Sequence, residues 1–339
     1  MKKNLKNSLP TNFNALFVER NKENKFELKL GKKNIENLKK NEVIIKVAYS
    51  SLNYKDILIC SGNTGLVRKY PHIPGIDAAG VVSQSASKKF KVGDKVMIVA
   101  RPIGVKSQGG LSEYITAPCD WVEKLPSGLS LKNAMVAGTA GFTSMLSVMT
   151  LIKDGLKKNL GTILVSGATG GVGIFSILIL SQLGFNICAS TRKKDQEKFL
   201  KGIGANEIIT NDEFNNQPNM PLLKTKYSAI IDNIGGSIIS LGSRQLINGG
   251  RIASIGASSS EVCSLNMMPF ILRGVKIIGI NAESTSNILR KKIWKKITKL
   301  ISEKKIKEIY QECKLSNVID IIKLAKIKNS VGRIIVKIN

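Results

Sequence analysis

The stretch TILVSGATGGVGIFSILILSQLGFNICAS, residues 162–190, decides how the rest of the chain folds. A short apolar run, residues 162–165, leads into a turn that contains four glycines. The largely apolar segment from Ile174 to Leu183 has the length of a helix, and a second strand-like run, residues 185–189, follows it. Strand, glycine turn, helix and strand in this order form the smallest unit that holds a pyrophosphate at a helix N-terminus.

The turn matches the pattern G-x-G-x-x-G except that Ala168 replaces the first glycine. Gly170 allows the backbone to approach a phosphate closely, and Gly173 allows the helix to pack closely on the strand. The alternative is a glycine-rich turn that binds nothing, but the strand before it and the apolar helix after it favour a dinucleotide. The backbone predicted to hold the pyrophosphate consists of Thr169, Gly170, Gly171, Val172 and Gly173.

Length and composition indicate a globular protein of two domains. The chain has 339 residues, of which 43% are hydrophobic and 22% are charged. The longest apolar run, around residues 174–183, is too short to span a membrane. Residues 1–14 lack the apolar segment of a secretory signal, although a weak organellar presequence stays open as an alternative. We expect a cytoplasmic protein that does not associate with membranes.

No metal site is predicted. The five cysteines are scattered without C-x-x-C spacing, which indicates a reducing compartment and no structural zinc. A catalytic zinc needs three ligands of Cys, His or Glu type, and no such group is visible in the sequence. The single histidine, His72, is interpreted as a loop residue rather than a general acid.

The chain carries a formal net charge of +28 from 52 basic residues, nine of which are arginine. A charge of this size is typical of proteins that bind nucleic acids. The lysines, however, are spread over the whole chain, and aromatic residues, which stack on bases, make up only 5% of it. We therefore interpret the charge as solvated lysine faces and expect no specific nucleic acid partner.

The patterns on the two sides of the organising stretch differ. The chain before about residue 125 is β-rich and punctuated by glycine. After Ala134, a helical pattern alternates with strand-like runs at 229–232, 251–255 and 275–278, which is typical of a doubly wound parallel sheet. Two lysine-rich amphipathic helices are predicted between Leu289 and Lys328, and a last strand over residues 333–338.

Several motifs in this order resemble those of the medium-chain dehydrogenases/reductases. The general motifs are Asn53-Tyr54-x-Asp56, Pro74-Gly75-x-Asp77-x-x-Gly80, Gly93-Asp94-x-Val96, Gly109-Gly110-x-x-Glu113-Tyr114, Gly138-Thr139-Ala140-Gly141-Phe142-Thr143 and the glycine turn. The segments SSLNYKD (50–56), IPGID (73–77), MMPFILR (267–273) and the late Gly332-Arg333 are similar to one zinc-free, quinone-oxidoreductase-like branch, the YhdH/AcuI acrylyl-CoA reductase group. The resemblance covers residues 14–339.

The resemblance implies an α/β protein with two domains and a homodimeric assembly. A GroES-like β-rich catalytic domain would comprise residues 1–136 and 285–339, and a doubly wound parallel Rossmann sheet residues 137–284. Zinc-dependent relatives carry a Cys near Asn53 and a His-Glu pair near Ile76 and Asp77, so the resemblance also implies a metal-free site.

The cofactor is expected to be NADPH. Enzymes that use NAD carry an acidic residue about twenty positions after the glycine turn, where this chain has Ser190, Thr191, Arg192 and Lys193. An arginine there suits a 2′-phosphate, so Thr191, Arg192 and Lys193 are assigned to the cofactor. The alternative is that Arg192 and Lys193 are ordinary surface charges, and Asp195 could be a helix cap or a ribose ligand.

Further cofactor contacts are predicted elsewhere in the same domain. Asn233, Ile255 and Gly256 follow strand-like runs, and such sheets bind ligands at the carboxyl ends of their strands. By resemblance only, Ile271 and Ile280 are expected to flank the nicotinamide.

Four residues are assigned to catalysis. Tyr54 is the candidate polar contact near the nicotinamide, with Asn53 and Asp56 fixing its loop; alternatively, Asn53 and Asp56 cap a helix and Tyr54 packs in the core. The resemblance places Arg333 at the active site, where it could hold a thioester carbonyl or a CoA phosphate bidentately. The alternative for Arg333 is a surface ion pair.

These assignments lead to one favoured function and two alternatives. Without a zinc ion to polarise the substrate, hydride addition to the β-carbon of an α,β-unsaturated thioester fits best, with hydrogen bonds stabilising the thioester oxygen. The resemblance implies NADPH-dependent reduction of acrylyl-CoA to propionyl-CoA. The alternatives are an NADPH-dependent quinone or enone oxidoreductase and, less favoured, a dinucleotide-responsive RNA-binding protein.

Overall fold

The computed structural model describes residues 9–301, 306–328 and 330–338. The helices are α1 (Tyr54–Cys60), α2 (Leu131–Lys153), α3 (Gly171–Gln182), α4 (Glu197–Gly202), α5 (Asn211–Asn215), α6 (Ser237–Gln245), α7 (Met268–Arg273), α8 (Asn287–Leu300) and α9 (Val318–Lys328). The strands are β1 (Asn12–Arg20), β2 (Phe26–Asn34), β3 (Glu42–Leu52), β4 (Ala78–Ser85), β5 (Lys95–Ile98), β6 (Tyr114–Pro118), β7 (Glu123–Lys124), β8 (Thr162–Val165), β9 (Ile187–Thr191), β10 (Glu207–Thr210), β11 (Tyr227–Asp232), β12 (Leu246–Ser254), β13 (Lys276–Gly279), β14 (Tyr310–Lys314) and β15 (Arg333–Lys337).

The described chain divides into two compact units. The first unit contains residues 9–139, 310–328 and 333–338, and the second unit contains residues 140–301, 306–309 and 330–332.

The second unit is built on a six-stranded parallel sheet with the order β10-β9-β8-β11-β12-β13. From β8, the chain adds β9 and β10 on one side and then returns to add β11, β12 and β13 on the other. Strands β9 and β11 are buried along their whole length, as expected for a sheet covered on both faces. The predicted doubly wound sheet is confirmed, and the order of strands reverses between β8 and β11, where such sheets bind ligands.

The first unit is built on a seven-stranded sheet in which most neighbours are antiparallel. Its order is β14-β15-β3-β4-β5-β7, and β6 also pairs with β3. Alternating apolar side chains of these strands, such as Val43, Ile45 and Val47 of β3, enter one core that also receives Ile322 of α9. Strands β1 and β2 form a separate two-stranded antiparallel sheet. The β-rich first half that the sequence predicted is confirmed.

The predicted boundary at residue 285 is wrong for the structure. Helix α8 belongs to the second unit, because its apolar face packs on the second half of α2. The rings of Trp294 and Phe142 have centroids 5.8 Å apart, and the guanidinium of Arg290 lies 4.5 Å from the Phe142 centroid. The chain therefore returns to the first unit at residue 310 rather than 285.

Three strands of four or more residues are not predicted from the sequence. These strands are β2, β10 and β14, the last of which lies inside the segment predicted as two helices. Each of them has a strand on only one side, and most of their side chains are exposed or half-buried. An edge strand with little burial carries no clear apolar alternation, so its sequence resembles that of a loop.

Helix α2 is longer than the apolar run at residues 174–183, although that run is the more apolar of the two. By length and composition alone α2 could cross a membrane, with a mean hydropathy of 1.6 over its most apolar window. In the structure, 78% of that window is buried, and the helix is broken at Gly138, which has φ 49° and ψ −154°. This is the pattern of a core helix.

Candidate active site

The glycine turn of the second unit joins β8 to α3. Gly167 has φ 56°, a conformation that favours glycine, and its carbonyl accepts a hydrogen bond of 3.0 Å from the amide of Gly170. A Cβ atom on Gly173 would lie 2.4 Å from the carbonyl oxygen of Gly167, so only glycine allows the helix to pack on the turn. Both observations explain the spacing of glycines in the sequence.

The start of α3 is suited to an anion. Helix α3 begins at Gly171, and its N-cap residue, Gly170, offers no side chain to the first amides of the helix. These amides point along the axis at the positive end of the helix dipole, which attracts phosphate groups. Thr169, Gly170, Gly171, Val172 and Gly173 therefore form a backbone surface that fits a pyrophosphate.

The loops after β11 and β12 lie beside this turn. The backbone amide of Asn233 donates to Ser166 Oγ at 2.8 Å, and its side-chain amide donates to the carbonyl of Ser166 at 2.7 Å. Asn233 Oδ1 is buried without a hydrogen-bond partner in the described part of the chain. Gly256 is held against Asn233, because a Cβ atom on Gly256 would lie 2.7 Å from the Asn233 carbonyl oxygen. The structure thus brings the predicted cofactor contacts Asn233 and Gly256 together. The third predicted contact, Ile255, lies between the end of β12 and Gly256.

Ile280 and Ile271 have different positions. The amide of Ile280 donates to the carbonyl of Ser254, so Ile280 follows β13 at the same edge of the sheet as Ile255. Ile271 lies on α7 and is 66% exposed. The guanidinium of Arg273 ties α7 to the carbonyl of Leu246, the first residue of β12 and therefore at the opposite edge. Within the second unit, Ile271 is not brought to the glycine turn, and its contact with the nicotinamide stays a prediction.

The end of β9 carries hydroxyl and cationic groups. Thr191 is buried and its Oγ1 accepts a hydrogen bond of 3.0 Å from the amide of Lys193, whereas Arg192 is exposed. Burial lowers the pKa of Lys193, an effect that Asp195 partly offsets. Ser190 Oγ donates to Asn211 Oδ1 at 3.1 Å. Asn211 begins α5, directly after β10, and because the sequence does not predict that strand, it does not predict the place of Asn211 beside Ser190 either.

In the first unit, Asn53 and Asp56 fix the start of α1. The amide of Asn53 donates to Asp56 Oδ2 at 2.8 Å, and the amides of Gly75 and Ile76 each donate to Asp56 Oδ1 at 3.0 Å. The Asp56 side chain is completely buried, and this burial raises its pKa to about 6. The carboxyl therefore holds the loop at residues 75–76 as well as capping the helix.

Tyr54 is the first residue of α1 and is 58% exposed. The alternative that Tyr54 packs in the core is therefore wrong. Its phenol hydroxyl is available to a ligand, while the main chain on its N-terminal side is held by the contacts of Asn53.

Asp77 is a central residue of the first unit that the site assignment missed. Its Oδ2 accepts hydrogen bonds from Ser51 Oγ at 2.7 Å, Asn53 Nδ2 at 2.9 Å and the Thr139 amide at 2.9 Å, and its Oδ1 accepts one from Thr139 Oγ1 at 2.6 Å. The side chain is fully buried. The sequence signal was present, because Asp77 belongs to the Pro74-Gly75-x-Asp77 motif, but the motif does not reveal which side chains it contacts.

Arg333 completes the Asp77 cluster instead of lying at the surface. Its guanidinium is 3% exposed and lies 3.8 Å from Asp77 Oδ2. Nη2 donates to Ser51 Oγ, Nη1 to Asn53 Oδ1, and the remaining hydrogen bonds go to the carbonyls of Val136, Leu52 and Met135. All three nitrogens are thus used within the protein. Both the predicted substrate contact and its alternative, a surface ion pair, are therefore wrong.

His72 is buried and its Nε2 lies 2.9 Å from the carbonyl oxygen of Gly104. Burial lowers its pKa. It joins two loops, as its interpretation as a loop residue implies. Among the residues that the structure describes, no group of three or more His, Cys, Asp or Glu side chains could hold a metal ion.

Comparison with known proteins identifies the family. Residues 39–127 match the alcohol dehydrogenase GroES-like domain, and residues 171–303 match the family called zinc-binding dehydrogenase. The acrylyl-CoA reductase AcuI of Ruegeria pomeroyi is 35% identical over 332 residues, which cover 96% of this chain and 99% of that protein.

Two solved structures share the fold over nearly the whole chain. The yhdH oxidoreductase of Salmonella enterica, in complex with NADP, is 34% identical with a TM-score of 0.91, covering 96% of this chain and 100% of that one. Bacillus subtilis protein yhfP, with NAD bound, is 36% identical with a TM-score of 0.91, covering 97% and 100%. The chain therefore belongs to the zinc-free medium-chain dehydrogenases/reductases, in their YhdH/AcuI group.

Proposed function

We propose that this protein is an NADPH-dependent oxidoreductase that reduces the C=C bond of an α,β-unsaturated thioester, acrylyl-CoA to propionyl-CoA. The observation that carries the proposal is the uncapped start of α3 behind Gly167 and Gly173, which fits the pyrophosphate of a dinucleotide. The identity to the acrylyl-CoA reductase of Ruegeria pomeroyi over nearly the full length of both chains supports the substrate.

The residues of this chain bind the cofactor, orient it and the substrate, and polarise the substrate. When bound, NADPH supplies the hydride that the β-carbon of the substrate receives, and a proton added to the α-carbon completes the saturated thioester. The backbone of Thr169–Gly173 holds the pyrophosphate, and Asn233, Ile255, Gly256 and Ile280 line the same edge of the sheet. Tyr54 offers an exposed hydroxyl as hydrogen-bond donor to a polar group of the ligands, and the buried contacts of Asn53 and Asp56 keep its loop in place.

A substrate panel tests the proposed activity. We expect kcat/KM for acrylyl-CoA with NADPH to exceed that for a simple quinone, measured as loss of NADPH absorbance. The second candidate, an NADPH-dependent quinone or enone oxidoreductase, rests on the same fold and the same dinucleotide turn. A quinone rate equal to or above the thioester rate would favour that second candidate and contradict the first.

The preference for NADPH is proposed to come from Arg192. The side chain is exposed at the end of β9. The two residues before it are Ser190 and Thr191, so no carboxylate stands there. Related structures hold NADP in one case and NAD in the other, so the choice depends on side chains of this chain. The Arg192→Ala variant is expected to raise KM for NADPH about tenfold, because a charge-assisted contact to the 2′-phosphate is lost, and to leave KM for NADH nearly unchanged.

The matched control is Lys198→Ala, which removes an exposed cation from α4 nearby in sequence. It should change neither KM. Equal effects of Arg192→Ala on the two cofactors would show that Arg192 is an ordinary surface charge.

We also propose a cytoplasmic homodimer. The five cysteines are free, as in proteins of reducing compartments. Half of the large apolar side chains that are exposed in the described part of the chain belong to one segment, residues 262–277, whose exposed side we call the α7–β13 surface: Val262, Leu265, Met267, Met268, Ile271, Leu272 and Ile277. Strand β13 is also an edge strand, paired only with β12. An unpaired edge beside exposed apolar side chains is suited to pairing with a second copy about a twofold axis.

A further inference from the structure

Asp232, at the end of β11, is a buried carboxyl without a basic partner. Its side chain is fully buried, and no Lys, Arg or His side chain in the described ranges forms an ion pair with it. Instead, it accepts three hydrogen bonds: from Ser166 Oγ at 2.7 Å, from the amide of Ile234 at 3.0 Å and from the amide of Gly235 at 2.9 Å. Burial raises its pKa, although these three donors oppose the shift.

Ser166 connects this carboxyl to the glycine turn. It is the residue before Gly167, is fully buried, and its Oγ donates to Asp232 while accepting from the amide of Asn233 at 2.8 Å. Its own amide donates to the carbonyl of Ile231 at 3.0 Å. Ser166 is therefore fixed to β11 on both its backbone and its side chain, and the turn begins from this fixed point.

Asp232 also holds the loops that follow β11 and β12. Its carboxyl binds the two amides after Asn233, and its backbone carbonyl accepts a hydrogen bond of 2.9 Å from the amide of Ile255. Three loops at the carboxyl edge of the sheet thus converge on one residue: the loop after β8, through Ser166, and the loops after β11 and β12 directly. The proposed cofactor contacts on these loops are Thr169–Gly173, Asn233, Ile255 and Gly256.

We infer that Asp232 is a positioning residue for dinucleotide binding, which acts through Ser166 on the glycine turn and through its other contacts on the neighbouring loops. The inference rests on the proposed function only in so far as the turn binds a dinucleotide. Asp232 would not touch the cofactor, because its carboxyl is completely buried and both of its oxygens already accept hydrogen bonds from the protein. Its role is to place amides and the Asn233 side chain before the cofactor arrives.

The test measures the Kd of NADPH by calorimetry and, separately, the unfolding midpoint in urea. Ser166→Ala removes the hydrogen bond between the turn and Asp232, and we expect Kd to rise about tenfold, the equivalent of one charge-assisted hydrogen bond. The control is Ser228→Ala. Ser228 is also buried and lies near the other end of β11, where its Oγ donates to the carbonyls of Gly161 and Thr162.

Both serine variants should lower stability to a similar extent, but only Ser166→Ala should weaken binding. An unchanged Kd in Ser166→Ala, or an equal rise in both variants, would overturn the inference. If the wild-type protein bound neither NADPH nor NADH, the proposed function would fail instead, so the two failures can be told apart.

A double-mutant cycle then tests whether Asp232 acts through Ser166. Asp232→Asn keeps the shape of the side chain but replaces one acceptor oxygen with a donor. If the two residues act along one path, the Kd of the Asp232→Asn and Ser166→Ala double variant should be close to that of Asp232→Asn alone. Fully multiplicative effects on Kd would show that Asp232 does not act through Ser166.

Discussion

At the scale of single residues, the buried carboxyl of Asp56 links folding to pH. Its pKa is about 6 in the folded protein, against an ordinary value of 3.8. The folded state therefore binds the proton more tightly than the unfolded state. The contribution of this group to stability is largest below pH 3.8 and is lost as the pH rises through 6, a difference of about 3 kcal/mol.

The Asp56→Asn variant has no such titration. We expect the free energy of unfolding of the wild-type protein, minus that of the variant, to fall as the pH is raised from about 4 to 7. Urea unfolding at several pH values measures this difference. A difference that grows with pH would mean that ionised Asp56 stabilises the fold, contrary to the burial argument.

Arg333 is expected to act on stability rather than on substrate binding. Replacing it with Met removes every hydrogen bond of the guanidinium and leaves Asp77 buried without a cation, which should cost about 3–5 kcal/mol of unfolding free energy. Arg333→Lys keeps the charge but not the planar donors, so it should be destabilised too, by less. An Arg333→Met protein with wild-type stability and a lower kcat would restore the substrate role predicted from the sequence.

At the scale of elements, the packing of α3 on its turn depends on Gly173. A Cβ atom there would lie 2.4 Å from the Gly167 carbonyl oxygen and 2.7 Å from Ala168 Cα, both in the backbone. Gly173→Ala should therefore displace the helix start, with a loss of about 1–3 kcal/mol in stability and weaker NADPH binding in calorimetry. Gly202→Ala in α4, where an added Cβ meets nothing within 4 Å, is the control and should be neutral or stabilising.

Buried strands and edge strands differ in how well the sequence predicts them. Strands with buried side chains, such as β8 and β11, have apolar runs that made the parallel sheet predictable. The edge strands β2, β10 and β14 lack that pattern because few of their side chains are buried. The same limit applies to the site: the glycine turn depends on local sequence, whereas the contacts of Asp77, Arg333 and Asp232 join residues far apart in the chain.

At the scale of the whole molecule, the proposed assembly can be tested at the α7–β13 surface. A protein of 36.9 kDa per chain should have about twice that mass in light scattering if it is a dimer. Replacing Ile271 and Leu272 with Asp places two charges in the apolar surface and should yield monomers. Ile288→Asp is the control, because Ile288 is 73% exposed on α8, outside this surface, and should leave the mass unchanged. A wild-type monomer would contradict the dimer.

The first unit combines residues 9–139 with residues from 310 onwards, and this affects its folding during synthesis on the ribosome. The parallel sheet of the second unit has all its strands once residue 279 has emerged, whereas β3 of the first unit waits for β15 to pair with residues 49–52. Domains generally fold in the order in which they are made. Here the unit that is begun first is completed last, and Asp77 stays without its guanidinium until residue 333 has been added. A nascent chain halted before β15 would therefore expose the unfinished edge of β3, although most of the protein had already been translated.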